Sequence, residues 1–356
     1  MSDCVLYLCS SVRHAYLAMG LANEQADITH HLVFINQRNV KHNSTIEIFR
    51  RDKHPFARVD VYEEKKGFFA KYRNKLTVFK QLESMLRKLR PQKIFVGNDR
   101  RVEFQYAMHF CQVNAINTTG AYLDDGSGSY VNGRYIRKLR TFTDLTFDRW
   151  LKRIFYGAWY DKHLLMGGTR WISECYLNFP ELAPREIAEN KTVVPLEAAT
   201  YVSPRFLQLA ERFIQSQPNM SAGESAQLFE QSYDVFLTLP LSNFVHKYFP
   251  SVQFYNELVN KYLAKYNRVA VKYHPRETEF YFESQAAVTQ FPASLPAELI
   301  FPFVDIKRVV GDLSSAVVSA VWLIPGCTAI CLCPKILKDS PIISFVERTA
   351  VEVEYC

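Results

Sequence analysis

Three short polar interruptions occur in a fixed order along this chain of 356 residues: Asp124-Asp125-Gly126-Ser127, His274-Pro275-Arg276 and Ser314-Ser315. Each follows a strand-like run, Ala115 to Leu123, Arg268 to Tyr273 and Lys307 to Val310, and strand ends are where α/β proteins place their chemistry. A carboxylate at a strand tip can serve as a general base, and a second acid beside it improves it in that role. Proline holds the residue before it extended, so His274 projects in a defined direction, and Arg276 adds positive charge. Ser314 and Ser315 open an apolar helical stretch (Val317, Val318, Val321, Trp322). There, hydroxyls, free amides and the helix dipole converge on one spot and can hold a phosphate. This inventory suits transfer of a group off a phosphate. Each piece also has an ordinary reading: an Asp-Gly turn, a histidine at a surface turn, and a serine N-cap.

Positioning these groups requires a parallel sheet, and the chain alternates accordingly. Val5 to Cys9, His31 to Asn36, Arg58 to Tyr62 and Lys93 to Val96 read as strands. Between them, Ser10 to His14 opens a helix and Thr77 to Leu89 is helical, with Val78, Leu82, Met85 and Leu89 at helical spacing. Asn98 and Asp99 follow the fourth strand. From about Phe179 to Gln231 the strand rhythm fails among five prolines, which predicts a crossover carrying one helix, Pro204 to Gln215. A second series then starts: strand Asp234 to Leu239, helix Val252 to Tyr266, strands before His274 and Ser314, helix Ser315 to Trp322 and a final strand, Thr328 to Cys333. The expectation is an α/β protein of two Rossmann-like domains, 1–200 and 201–356, with the active site in the cleft between them.

Composition narrows the class. Hydrophobic residues are 48% and charged residues 22% of the chain, as in a soluble globular protein, and the net charge of +7 favours a negatively charged partner. The first residues lack the basic and apolar regions of a secretory signal. Ala316 to Cys333 is uncharged and of membrane-span length, but Pro325-Gly326 splits it, so a cytoplasmic protein is expected. Cys327, Cys331 and Cys333 match no zinc spacing and read as buried thiols. Walker, G-x-G-x-x-G, H-E-x-x-H and G-x-S-x-G patterns are absent, and no nucleic-acid motif is present.

In order and in context, the three motifs resemble those of the bacterial sialyltransferases and polysialyltransferases, with the glycosyltransferase family 52 type the nearest pattern. Leu239-Pro240-Leu241-Ser242 and Leu295-Pro296-Ala297-Glu298 support the likeness. The resemblance implies GT-B architecture and an inverting sialyltransferase that uses CMP-sialic acid, with CMP-Kdo transfer or a catalytically silent scaffold as the competing readings. It makes Asp124 the base, with Asp125 as alternate or support, and His274 the catalytic group that gives a proton or hydrogen bond to the departing phosphate. It sets His274, Pro275, Arg276, Ser314, Ser315, Pro240, Leu241, Ser242, Pro296 and Glu298 around the donor. Gly126, Ser127, Asn98 and Asp99 fall on the acceptor side. The partners it implies are a CMP-sugar donor and a bacterial surface glycan such as lipooligosaccharide or capsule, with a homodimer as the assembly. No metal and no other cofactor is expected.

One further segment, Asp148 to His163, interleaves Trp150, Phe155, Trp159 and Tyr160 with Arg149, Lys152, Arg153 and Lys162. A packed amphipathic helix accounts for it. So does an interfacial helix on anionic lipid, which would turn both Trp150 and Trp159 outward.

Overall fold

In the computed structural model the described residues are 3–37, 44–64, 68–131, 141–215, 228–229, 231–275, 277, 279–285 and 287–356. They form two compact units, Met1–Thr200 and Tyr201–Cys356.

The first unit is built on a parallel sheet. Its strands are β1 (Cys4–Cys9), β2 (Thr29–Gln37), β3 (Arg58–Glu63), β4 (Lys93–Val96), β5 (Thr119–Leu123), β6 (Glu174–Leu177) and β7 (Thr192–Pro195). They lie in the order β3-β2-β1-β4-β5-β6-β7. All six residues of β1 are buried, as both faces of a central parallel strand must be when helices cover them. Leu6, Leu8, Val33, Ile94 and Val96 face a core completed by Leu82 and Leu86 of the helix Phe68–Leu89 and by Phe104 and Ala107 of the helix Val102–Val113.

The second unit repeats the plan. A two-residue pair, β8 (Ser232–Tyr233) with β12 (Asp305–Ile306), flanks a six-stranded parallel sheet. That sheet holds β9 (Val235–Leu239), β10 (Val269–Tyr273), β11 (Val288–Phe291), β13 (Arg308–Gly311), β14 (Thr328–Cys333) and β15 (Glu352–Tyr355) in the order β11-β10-β9-β13-β14-β15. Both sheets therefore reverse direction beside their first strand, between β1 and β4 and between β9 and β13. Open α/β sheets bind ligands outside the carboxyl ends of the strands at such switch points.

Several sequence expectations need correction. The crossover is not free of strands, because β7 lies within it and is preceded by the short helix Arg185–Asn190. β7 ends in Pro195 at the sheet edge, where a missing N–H costs no ladder bond. Thr328–Cys333 is not the last strand, since β15 pairs with it in parallel. The run from Ala115 is shortened to Thr119–Leu123. Ala115 takes φ 50° just after the helix Val102–Val113, and the Ile116 N–H returns to the Cys111 carbonyl, so this stretch closes a helix. Among the cysteines of interest, Cys331 and Cys333 are fully buried free thiols and Cys327 is partly buried. Between helix Ser315–Leu323 and β14 the chain turns at Gly326, φ 79°. Among the described residues no helix is long and apolar enough to cross a membrane.

Candidate active site

The acidic pair closes β5. Asp124 is fully buried, and its two oxygens are taken up by the protein. Oδ1 accepts the Gly126 N–H at 2.6 Å, Oδ2 accepts the Asn178 N–H at 3.1 Å and the Tyr130 hydroxyl, and the Arg13 guanidinium stands 3.5 Å from Oδ1. Burial, with Asp124 adding to it, raises the Tyr130 phenol far above its ordinary range, so its hydroxyl stays a donor. Asp124 thus clamps the turn after β5 to the end of β6. Gly126 takes φ 72° to place its N–H under that carboxylate, a left-handed conformation suited to glycine. Asp125 differs: its side chain keeps 34% of its surface exposed.

Asp125 has a partner that the sequence reading missed. His14 Nε2 lies 2.7 Å from Asp125 Oδ1, although 111 residues separate them. His14 sits in the first turn of the helix Val12–Glu24, whose N-cap Ser11 accepts the His14 N–H at 3.2 Å. Its Nδ1 faces Ser10 Oγ at 3.4 Å. The ring lies over Gly97, where an added Cβ would stand 2.1 Å from its atoms. The available signal was Ser-Ser-x-x-His after the first strand together with a glycine after the fourth, the two strands that flank the switch point.

Of the acceptor-side residues, Ser127 is partly buried beside Asp125, and Asn98 is occupied in its own turn, accepting the Arg100 N–H at 3.1 Å. Asp99 departs from expectation: it is fully buried and accepts the Thr169 N–H at 2.9 Å. Burial raises its carboxyl above the usual range. It pegs the loop before β6 and presents no surface to an acceptor.

In the second unit three strand ends carry the remaining groups. His274 follows β10 directly and is partly buried, with Pro275 exposed next to it, and Arg276 lies outside the described residues. The Ser242 backbone N–H and hydroxyl both bond the Glu277 carboxylate, and the Tyr281 hydroxyl donates to the Pro240 carbonyl at 2.7 Å. These bonds join the Pro240-Leu241-Ser242 loop after β9 to the histidine loop after β10. Leu241 is the N-cap of the helix Ser242–Tyr248.

Ser314 caps the helix Ser315–Leu323 through its backbone conformation, and its side chain makes no cap bond. Its Oγ is buried and faces the Asp312 carboxyl, whose Oδ1 is buried as well. Burial pushes the Asp312 carboxyl up to about 7. A hydroxyl and free amides at a helix start leave capacity for a bound anion. Gly311 has no room for a side chain, since an added Cβ would stand 2.0 Å from Thr238 Oγ1. Pro296 caps a four-residue helix, and Glu298, expected on the donor side, is buried there and accepts the Ser319 hydroxyl at 3.1 Å. It also opposes the burial that lowers the Lys272 ammonium to about 8.

The expectation for the basic-aromatic segment is half right. The helix Thr141–Tyr156 turns Phe147, Trp150, Leu151, Ile154 and Phe155 to solvent, while Trp159 lies beyond it in the core of the first unit. Arg149, its side chain still 43% exposed, pairs with Asp161 at 3.1 Å, and Arg153 Nε donates to the Tyr160 carbonyl at 2.9 Å, so these two cations are tied to the protein beside the apolar stripe. A separate cavity lined by Val5, Lys93, Thr119 and Tyr176 opens at the amino ends of β1, β4 and β5, away from every motif described above.

The profile of the family described as alpha-2,8-polysialyltransferase (POLYST) matches residues 5–333. The chain belongs to that family. It is therefore a glycosyltransferase of the sialyltransferase type, and the match spans all three motifs. No curated protein matches its sequence. Among solved structures, UDP-GlcNAc 2-epimerase from Methanocaldococcus jannaschii is similar at 12% identity and TM-score 0.53, covering 99% of this chain and 89% of that one. UDP-GlcNAc 2-epimerase from Neisseria meningitidis is similar at 10% identity and TM-score 0.52, covering 98% and 86%. At such identities the likeness concerns the fold alone, and with the two Rossmann-like sheets it gives this polysialyltransferase-family chain GT-B architecture.

Proposed function

We propose that this chain moves sialic acid from CMP-sialic acid to a hydroxyl of a terminal sugar, with inversion at the anomeric carbon and no metal ion. The observation that supports this reading most is the coincidence of family membership with where the motifs fall. The acid pair ends β5, His274 ends β10 and the serine pair follows β13, each at the carboxyl end of a parallel strand. In this reading the acid pair removes the proton of the acceptor hydroxyl as its oxygen bonds the anomeric carbon. The bond from that carbon to the phosphate oxygen breaks, and the electron pair leaves with CMP. His274 and the start of helix Ser315–Leu323 hold the departing phosphate, and stabilising such developing charge is commonly the largest catalytic term. The family's name points to a terminal sialic acid as the acceptor; the glycan that carries it is, in this reading, a bacterial surface glycan such as capsule or lipooligosaccharide.

The exposed apolar stripe on Thr141–Tyr156 supports peripheral attachment. Its residues recur at i, i+3, i+4, i+7 and i+8, one face of a helix, and a face of this kind seats in the boundary layer of a bilayer. The chain's charge of +7 favours anionic lipid, at the cytoplasmic side of the membrane. A homodimer that buries the same stripe is the competing cover.

The test is incubation with CMP-sialic acid or CMP-Kdo, each with sialylated and galactose-terminated acceptors, while CMP release and product are followed. The reading predicts CMP release and acceptor extension with CMP-sialic acid. Turnover only with CMP-Kdo would reassign the donor, and absence of both turnover and CMP binding would leave a scaffold.

A further inference from the structure

The transfer reading assigns the base to an acid pair, and the geometry around that pair separates its members. Resting on that reading, we infer that Asp125 is the group that takes the proton and that His14 is its positioning residue, holding one carboxylate oxygen so that the other is aimed at the acceptor.

Asp124 has no surface to offer, and both its oxygens are occupied by donors that tie the turn to β6. Asp125 keeps a third of its side chain exposed, and a single oxygen, Oδ1, meets His14 at 2.7 Å. The His14 side chain is 2% exposed, so it cannot itself reach an acceptor. It is held on three sides. Ser11 caps the helix turn that carries it, Gly97 provides the flat floor under the ring, and Ser10 stands at Nδ1. These residues follow β1 and β4, the strands that flank the switch point of the sheet. With Asp125 ionised, the arrangement that satisfies every polar atom puts a proton on Nε2. The Ser10 hydroxyl then donates to Nδ1, and Nε2–H donates to Asp125 Oδ1.

The proton balance follows. The acceptor O–H bond breaks, its proton passes to Oδ2 of Asp125, and the new glycosidic bond forms as the bond to CMP breaks. The Nε2 proton stays on His14 throughout and holds the carboxylate still. Fixing a reacting group in this way matters because a misplacement of about 1 Å can cost about 10²-fold in rate.

The experiment compares the full-length protein with His14→Phe, which fills the niche over Gly97 but donates nothing, and with His14→Gln, whose amide N–H can reach the same carboxylate. Phe is expected to lower kcat by about 10²-fold while the donor KM stays within about twofold, and Gln to recover at least about tenfold of that loss. A merely structural role would instead make both variants lose activity in step with melting temperature. In parallel, nitrogen NMR of histidine-labelled wild type reads the ring directly, with His14 identified by its loss in the Phe variant. Nε2 should carry a proton, and its signal should move in Asp125→Asn. Wild-type kcat in the Phe variant, or an unprotonated Nε2, would overturn the inference. If the wild type consumes no donor, the transfer reading fails separately, and the nitrogen spectrum still decides which atom holds the proton.

Discussion

The Glu277 carboxylate accepts two bonds from Ser242, one from its backbone N–H at 2.5 Å and one from its hydroxyl at 3.3 Å. The loop after β9 and the histidine loop after β10 are thereby one body, and His274 takes its position from a residue three places on. Glu277→Ala should free the loop, raise the donor KM and change kcat less. Hydrogen bonds to charged groups are worth about 1.5–3 kcal/mol, so a melting temperature lower by a few degrees should accompany it. Steady-state kinetics together with calorimetry checks both effects; an unchanged donor KM would show that the loop needs no such tie.

The two aspartates should fail differently. Asp124→Asn sets an amide against donors that now meet a carboxylate and leaves buried groups unsatisfied, at a cost of about 1–3 kcal/mol. Asp125→Asn removes the exposed base and leaves the turn intact. Thermal unfolding should therefore report a clear loss for Asp124→Asn and little for Asp125→Asn, while turnover in the latter falls by about 10²–10⁴-fold. Near-normal turnover of Asp125→Asn would return the base to Asp124.

Much of this was legible in the sequence. β1, β4, β9, β10, β13 and β14 are largely apolar runs bounded by turn residues, and parallel sheets bury such strands on both faces. β6, β7, β11 and β15 were missed because they are four residues long and carry Glu174, Pro195, Gln290, or Glu352 with Glu354, and β8 and β12 because they are only two residues each. β7, β11 and β15 are edge strands, which are half exposed and need no apolar run, whereas β6 lies between β5 and β7 and is hidden by its brevity and Glu174. The motif residues fell at strand ends as expected, but burial is a tertiary property, so Asp99 and Glu298 could not be told from surface acids. Nor could His14 be paired with Asp125, since only the sheet order brings the ends of β1 and β5 to either side of Gly97.

Asp312 gives a pH dependence with a definite sign. Burial raises its carboxyl from 3.8 to about 7, so the folded state favours the protonated form. That contribution is fully present below about pH 4 and is lost as pH rises through 7. Relative to wild type, Asp312→Asn should gain stability between these limits and level off above them. Above pH 7 the buried anion also lies two residues from Ser314, so CMP binding by the wild type should weaken there while the Asn variant holds its affinity. Calorimetric titration with CMP at pH 6 and 8 decides this, and parallel curves for the two proteins would contradict it.

The exposed stripe predicts lipid binding. Co-sedimentation with vesicles of anionic phospholipid should exceed that with neutral vesicles and decline with added salt, since surface attraction is screened over about 10 Å at 0.1 M. Trp150→Asp with Phe155→Asp should abolish it without lowering the melting temperature, because both side chains are exposed. Salt-independent dimerisation lost in the same variant would assign the stripe to a second copy of the chain.

If the phosphate partners are protein groups, chelation should leave activity unchanged. Turnover measured with excess EDTA and after adding Mg²⁺ or Mn²⁺ tests this, and strict dependence on either ion would place a metal at the leaving phosphate.

The central claim is sialyl transfer with the leaving phosphate held by His274, and one measurement meets it most directly. Purified wild type and His274→Ala are each given CMP-sialic acid and a sialylated acceptor, and products are resolved by mass spectrometry. The wild type should extend the acceptor by whole sialic acid units and release one CMP for each. His274→Ala, folded and still able to bind acceptor, should fall by about 10²–10⁴-fold. An acceptor left unextended by the wild type, or extended equally well by His274→Ala, would contradict it.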